Sequence, residues 1–156
     1  MDKKGIDTLL AAHGFFRGLD GPRLALVAGC GKNVKVAAGR TLAREGRPAD
    51  SFFAIRAGRI AIELHAPERG AIVLQTIGEG EMLGWSWLVP PYRWTFDARA
   101  VEEVRAVEFD GACLRKKCDA DPALGYDLMK RFAGVFAKRL EAARLQLIDL
   151  YGKSGS

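Results

Sequence analysis

The residues best placed to do chemistry together lie between Gly84 and Thr95, in the run G-W-S-W-L-V-P-P-Y-R-W-T. Ser86 offers a hydroxyl and a backbone N–H, and Arg93 offers a guanidinium. If the chain begins a helical turn at Gly84, the N–H and hydroxyl of Ser86 are reasonable anion donors, and Arg93 is the first choice for an anion ligand. Trp85, Trp87 and Trp94 are all the tryptophans of the chain, and an indole face can stack on a planar ligand. Gly84, Trp85, Ser86, Trp87, Arg93, Trp94 and Thr95 are therefore the candidate ligand contacts. A structural alternative stands beside each. Trp85 and Trp87 can anchor core, Arg93 can lie on the surface or against the ring of Tyr92 or Trp94, and the whole loop can be a plug closing one end of a sheet. Asp97 is read as a strand-face ion-pair partner of Arg99 or Arg59.

Other chemistries find no footing. No nucleophile sits beside a base, and there is no H-x-x-x-H and no Walker-type loop, so an enzyme is not expected. His13 and His65 are isolated, without metal-ligand spacing. The three cysteines, Cys30, Cys113 and Cys118, are an odd number in a chain whose first residues lack a signal-peptide apolar region, so reduced thiols and a cytoplasmic location are expected. No apolar run nears the roughly 20 residues that cross a bilayer. The net charge of +5 is mild and its basic residues are scattered between acidic ones, which does not indicate nucleic acid.

The elements that must position the loop follow from punctuation. Ile6–His13 and Pro22–Ala28 read as two short helices, the second capped by Asp20. From residue 32 to 109 short β runs alternate with turns such as Ala38-Gly39, Arg44–Asp50, Ala57-Gly58-Arg59 and Pro67–Gly70. Turns at about 8–12-residue spacing imply an antiparallel barrel or jelly roll. The loop, residues 78–100, interrupts it. Asp110 caps a short helix, and Asp119–Pro122 opens the longest helix of the chain, stopped at Gly152 and followed by a loose tail. Phe132, Phe136, Leu140, Ala143 and Leu147 recur along it at spacings of three and four. That stripe exceeds what one small domain covers, so the helix is expected to pair with a second copy across a two-fold axis.

In this order and spacing, Gly39, R-E-G-R-P-A-D (Arg44–Asp50), F-F-A-I-R-A-G-R-I (Phe52–Ile60), G-E-G-E-M-L-G (Gly78–Gly84), A-R-A (Ala98–Ala100) and the E-F-D segment resemble the cyclic-nucleotide-binding domain of the catabolite-activator/FNR-type regulators. The resemblance runs from about Phe15 to Leu150. It implies one domain, residues 1–156, mainly β with flanking helices: N-terminal helices (1–31), an antiparallel β-roll (32–109) with a phosphate-cassette loop, and C-terminal helices (110–152). In the family a glutamate directly after the last glycine takes the ribose hydroxyl; here that residue is Trp85. The phosphate arginine would align about one residue from Arg93. Three cysteines cannot supply the four thiolates of the family's iron–sulfur sensors. The resemblance thus implies a regulatory sensor for a small anion or nucleotide, with cyclic AMP and cyclic GMP as candidate ligands, working as a homodimer. One alternative is a ligand-free module docking an unknown protein partner. Another is a fragment of a transcription regulator lacking the helix-turn-helix half that the family appends after the long helix; DNA is not expected as a partner of the residues present.

Overall fold

The computed structural model describes residues 3–154. Helix α1 (Lys3–Ala11) starts and ends earlier than the sequence suggests. His13 does not extend it; instead its Nδ1 accepts from the Phe15 N–H at 3.2 Å and caps a 3-10 turn, Gly14–Phe16. Helix α2 (Gly21–Ala28) has the expected cap, Asp20 accepting from the Arg23 N–H at 2.9 Å, with Pro22 in the first turn.

Among the described residues eight strands follow: β1 (Gly31–Val36), β2 (Thr41–Ala43), β3 (Ser51–Ala57), β4 (Ile60–Ala66), β5 (Gly70–Ile77), β6 (Met82–Leu83), β7 (Asp97–Ala100) and β8 (Val104–Asp110). They pair antiparallel in two four-stranded sheets, β1-β8-β3-β6 and β2-β7-β4-β5, which make the expected β-roll. Pairing of Phe52 with Phe109 and of Ile55 with Ala106 divides β3 and β8 between two cores. Phe53, Ile55, Val104 and Ala106 face the interior of the roll, with Ile60, Ile62, Leu83 and Phe96. Phe52 and Phe109 stack on the opposite face, at 4.7 Å between rings, and Phe16 packs on Phe109 at 5.8 Å. Both faces of β3 are therefore buried, which explains why F-F-A-I is continuously apolar. Between β3 and β4 only glycine fits: at Gly58 φ is +93°, and a Cβ would lie 2.2 Å from the Glu103 carbonyl oxygen.

Helix α3 (Gly111–Ala120) is capped by Asp110, which accepts from the Cys113 N–H at 3.0 Å. The reduced state expected for the cysteines is not what the fold shows, because Cys30 and Cys113 form a disulfide. The end of α2 and the first turn of α3 bring their Cα atoms within 5.8 Å, inside the range the bond requires.

The chain divides into two compact units that meet in sequence between Lys117 and Cys118, and each is described by itself. The second unit is helical. Asp121 accepts from the Leu124 N–H at the start of α4 (Pro122–Ser154). Gly152 does not stop this helix, which runs on to Ser154; of the expected tail, Gly155 and Ser156 lie outside the described residues. Burial pushes the Cys118 thiol up, helped by Asp119 and Asp121. In the stripe expected to pair, Phe132 is already buried at 2 % exposure, whereas Phe136, Leu140, Ala143 and Leu147 are exposed.

Candidate functional site

The cassette loop begins where β6 ends. Gly84 is buried with φ +102°, and a Cβ there would lie 2.7 Å from Cη2 and 3.1 Å from Cζ3 of Trp94. Positive φ and a ring against the backbone both demand glycine. The chain then makes the single turn that the sequence suggests: the Leu88 N–H donates to the Trp85 carbonyl and the Val89 N–H to the Ser86 carbonyl. Ser86 is almost fully buried, and its hydroxyl has no hydrogen-bond partner among the described residues. Leaving such a group unmatched costs about 1–3 kcal/mol.

The seven candidate residues do not converge. Trp87 points to the outer aromatic layer, stacked on Phe52 at 4.3 Å and 7°. Trp94 points into the roll, where it belongs to the interior core and meets Phe96 edge-on at 5.8 Å. Trp85 is half-buried at the turn. From Arg93 to Ala98 exposed or half-buried residues alternate with buried ones. In an extended chain neighbouring side chains take opposite sides, so Arg93 and Thr95 face away from the space that Trp94 enters. Arg93 is exposed and donates to the Gly46 carbonyl at 2.8 Å.

The turn from Arg44 to Asp50 explains that placement. It holds the returning arm of the loop through Gly46 N–H to Trp94 O at 2.8 Å, Trp94 N–H to Arg47 O at 2.9 Å and Ala49 N–H to Tyr92 O at 2.7 Å. Asp97 braces the same turn by accepting from the Glu45 N–H at 2.8 Å. The ion pairs suggested for Asp97 go elsewhere. Arg99 binds Glu63 at 2.8 Å, a carboxylate only 9 % exposed that raises the guanidinium above its ordinary value, and Arg59 binds Glu102 at 2.9 Å.

One contact was not legible in the sequence. Arg115, in α3, donates to the Trp87 carbonyl at 2.6 Å and sets its guanidinium 4.4 Å from the centre of the Tyr92 ring. The cation over Tyr92 is thus Arg115 and not Arg93. Nothing in spacing could have paired residues 23 or more apart on different elements.

The profile of the family described as Cyclic nucleotide-binding domain matches residues 33–121. The chain is 30 % identical over 145 residues to a CRP-like cAMP-activated global transcriptional regulator of Mycobacterium tuberculosis, covering 93 % of this chain but 63 % of that protein. Among solved structures, a Geobacter metallireducens protein provisionally named for cyclic nucleotide binding superposes with a TM-score of 0.76 at 25 % identity, covering 90 % of this chain and 98 % of that one. A cyclic nucleotide-binding domain from Methylobacillus flagellatus shares the fold, with a TM-score of 0.77 at 14 % identity over 94 % of this chain and 82 % of its own.

Proposed function

This chain belongs to the cyclic nucleotide-binding domain family, and from that premise we propose that it is a non-enzymatic regulatory module that holds a small anionic ligand at the turn after Gly84. The observation that carries this reading is the buried, unmatched Ser86 hydroxyl at the start of that turn. An anion accepting from the hydroxyl and from N–H groups of the turn would remove the cost of burying it. Arg115 supplies the nearby positive charge in place of Arg93, through its contact with the carbonyl of Trp87, the residue after Ser86. Cyclic AMP is the first nucleotide to test, because the Mycobacterium relative is named as activated by it. A whole nucleotide would also have to displace the Trp94 ring from the roll. The output is the C-terminal helix. Its exposed residues Phe136, Leu140, Ala143, Leu147 and Leu150 follow a 4-3-4-3 spacing that suits pairing with a second copy. The proposed location is the cytoplasm; among the described residues no helix is long and apolar enough to cross a membrane.

A second reading rests on Trp94 itself. With its ring against Gly84 and inside the interior core, the aromatic loop is a plug, and the domain serves as a ligand-free partner-binding module. Thermal unfolding against cyclic AMP, cyclic GMP and inorganic phosphate separates the two. A ligand at 100 times its Kd stabilises by about 2.7 kcal/mol, a shift of several degrees. The anion reading requires a shift with at least one of the three that is lost in Ser86→Ala. No shift in the wild type favours the plug.

A further inference from the structure

The run Gly29-Cys30-Gly31 packs against both α3 and β8, residue 29 under the tip of Lys117 in α3 and residue 31 against Val107 and Phe109 of β8. A Cβ at residue 29 would lie 2.7 Å from Lys117 Nζ, and one at residue 31 would lie 2.9 Å from a Val107 methyl. Three links close this contact. They are the Cys30–Cys113 disulfide, the Lys117 ammonium donating to the Leu26 carbonyl at 2.7 Å, and the Asp110 N–H donating to the Cys30 carbonyl at 2.9 Å. Only the disulfide is covalent, and it bridges 83 residues of sequence.

The bond is accessible. A cavity of about 590 Å3 opens beside it, lined by Cys30, Cys113, Lys32, Asp50, Glu108 and Asp110. Cys30 is buried at 7 % exposure and Cys113 is half-buried, so Cys113 is taken as the half of the bond that an incoming thiolate attacks. The same stretch of α3 grips the cassette loop. Gly111 leaves only 2.9 Å between a would-be Cβ and the Trp87 Cβ, and Arg115, two residues past Cys113, holds the Trp87 carbonyl.

We propose that Cys30–Cys113 is a thiol–disulfide exchange site, taking dithiols as its reaction partner, and that its redox state sets how firmly α3 is clasped to β1 and to the cassette loop. The dithiol's thiolate attacks Cys113 Sγ; a mixed disulfide forms, and Cys30 leaves as a thiolate. The second thiol of the reagent then attacks its own sulfur in the mixed disulfide, closing a cyclic disulfide and releasing Cys113. Two electrons pass from dithiol to protein, and each freed cysteine takes up one proton given up by the reagent. In a reducing compartment such a bond is a transient, signalling state rather than a permanent staple.

The test uses the full chain and no ligand, so it stands or falls apart from the anion reading. Thiols are counted on aerobically purified protein after denaturation without reductant; one, Cys118, is expected, and three after dithiothreitol. Hydrogen exchange of a peptide covering residues 111–117 is then followed in the folded protein. Dithiothreitol should speed exchange there at least tenfold, while Cys118→Ser responds like the wild type. Cys30→Ser should exchange fast with or without reductant. If that variant does not fold, the comparison of oxidised and reduced wild type decides alone. Three thiols before reduction, a bond that dithiothreitol cuts only in denatured protein, or unchanged exchange after reduction would each overturn the proposal.

Discussion

Replacing Gly84 by alanine tests whether the cassette loop is built around the Trp94 ring. The substitution carries two separable costs. An L-residue held at φ +102° costs about 1–2 kcal/mol. The new methyl would also meet Trp94 carbons at 2.7 and 3.1 Å and the Phe52 Cβ at 3.2 Å; over-packing of that kind costs about 1–3 kcal/mol. Gly84→Ala should therefore destabilise the protein by about 2–5 kcal/mol, which at this chain length lowers Tm by roughly 5–20 °C. The two ring atoms in the way belong to the benzo edge of the indole, which phenylalanine lacks. On a Trp94→Phe background the same glycine substitution should cost the backbone part and the tight Phe52 contact, but not the clash with the ring. The cycle should thus give a coupling of about 1–3 kcal/mol, within the range seen for residues in contact. Urea titrations of wild type, both single variants and the double variant supply the four free energies, with unchanged m showing that the denatured state is comparable. A coupling below about 0.5 kcal/mol would mean that the ring does not rest on Gly84. A neutral Gly84→Ala would refute the positive φ as well.

Reduction of Cys30–Cys113 should lower stability by about 4–5 kcal/mol on loop-entropy grounds, given a sequence separation of 83; urea midpoints with and without dithiothreitol measure it. His13 makes stability depend on pH. Burial lowers its pKa from the ordinary 6.5, against the opposing carbonyls of Ile55 and Glu81. Its Nδ1 accepts from the Phe15 N–H, so the Nε2–H donates to the Ile55 carbonyl at 3.1 Å, leaving no room for a second proton. Below pH 6.5 the unfolded chain takes up a proton that the folded chain resists, so this contribution is full above pH 6.5 and is lost as pH falls below it; His13→Gln should flatten that slope in denaturation curves from pH 7 to 5. The proposed pairing of α4 predicts that Leu140→Glu with Leu147→Glu gives a monomer in sedimentation velocity at concentrations where the wild type is a dimer, with the β-roll signature of circular dichroism kept.

The antiparallel roll and its order of elements were legible in the sequence because turns announce themselves locally. Glycine at 39, 58, 70 and 84 takes positive φ, and Asp20, Asp110 and Asp121 accept from amides three residues on, as helix caps do. The cassette turn after Gly84 was legible for the same reason. What each of its side chains faces was not. Trp87 and Trp94 are alike as letters, yet one stacks on Phe52 outside the roll and the other fills its interior. That division depends on which face of β3 each arm of the loop crosses. Arg93 held every feature of an anion ligand except direction: the turn at Arg44–Asp50, joined to it through pairing across more than 40 residues, aims it at the Gly46 carbonyl. The disulfide and the Arg115 contact likewise depend on α3 lying beside the end of α2 and the cassette loop. Local backbone preference is written residue by residue, so the sequence by itself determined the longer strands, their turns and the aspartate caps, but not the short β6 within residues 78–100, the His13 cap or the ends of α1 and α4. Tertiary packing alone decided the facing of the tryptophans, the partner of Arg93 and the pairing of Cys30 with Cys113, because each depends on segments that only the closed roll brings together.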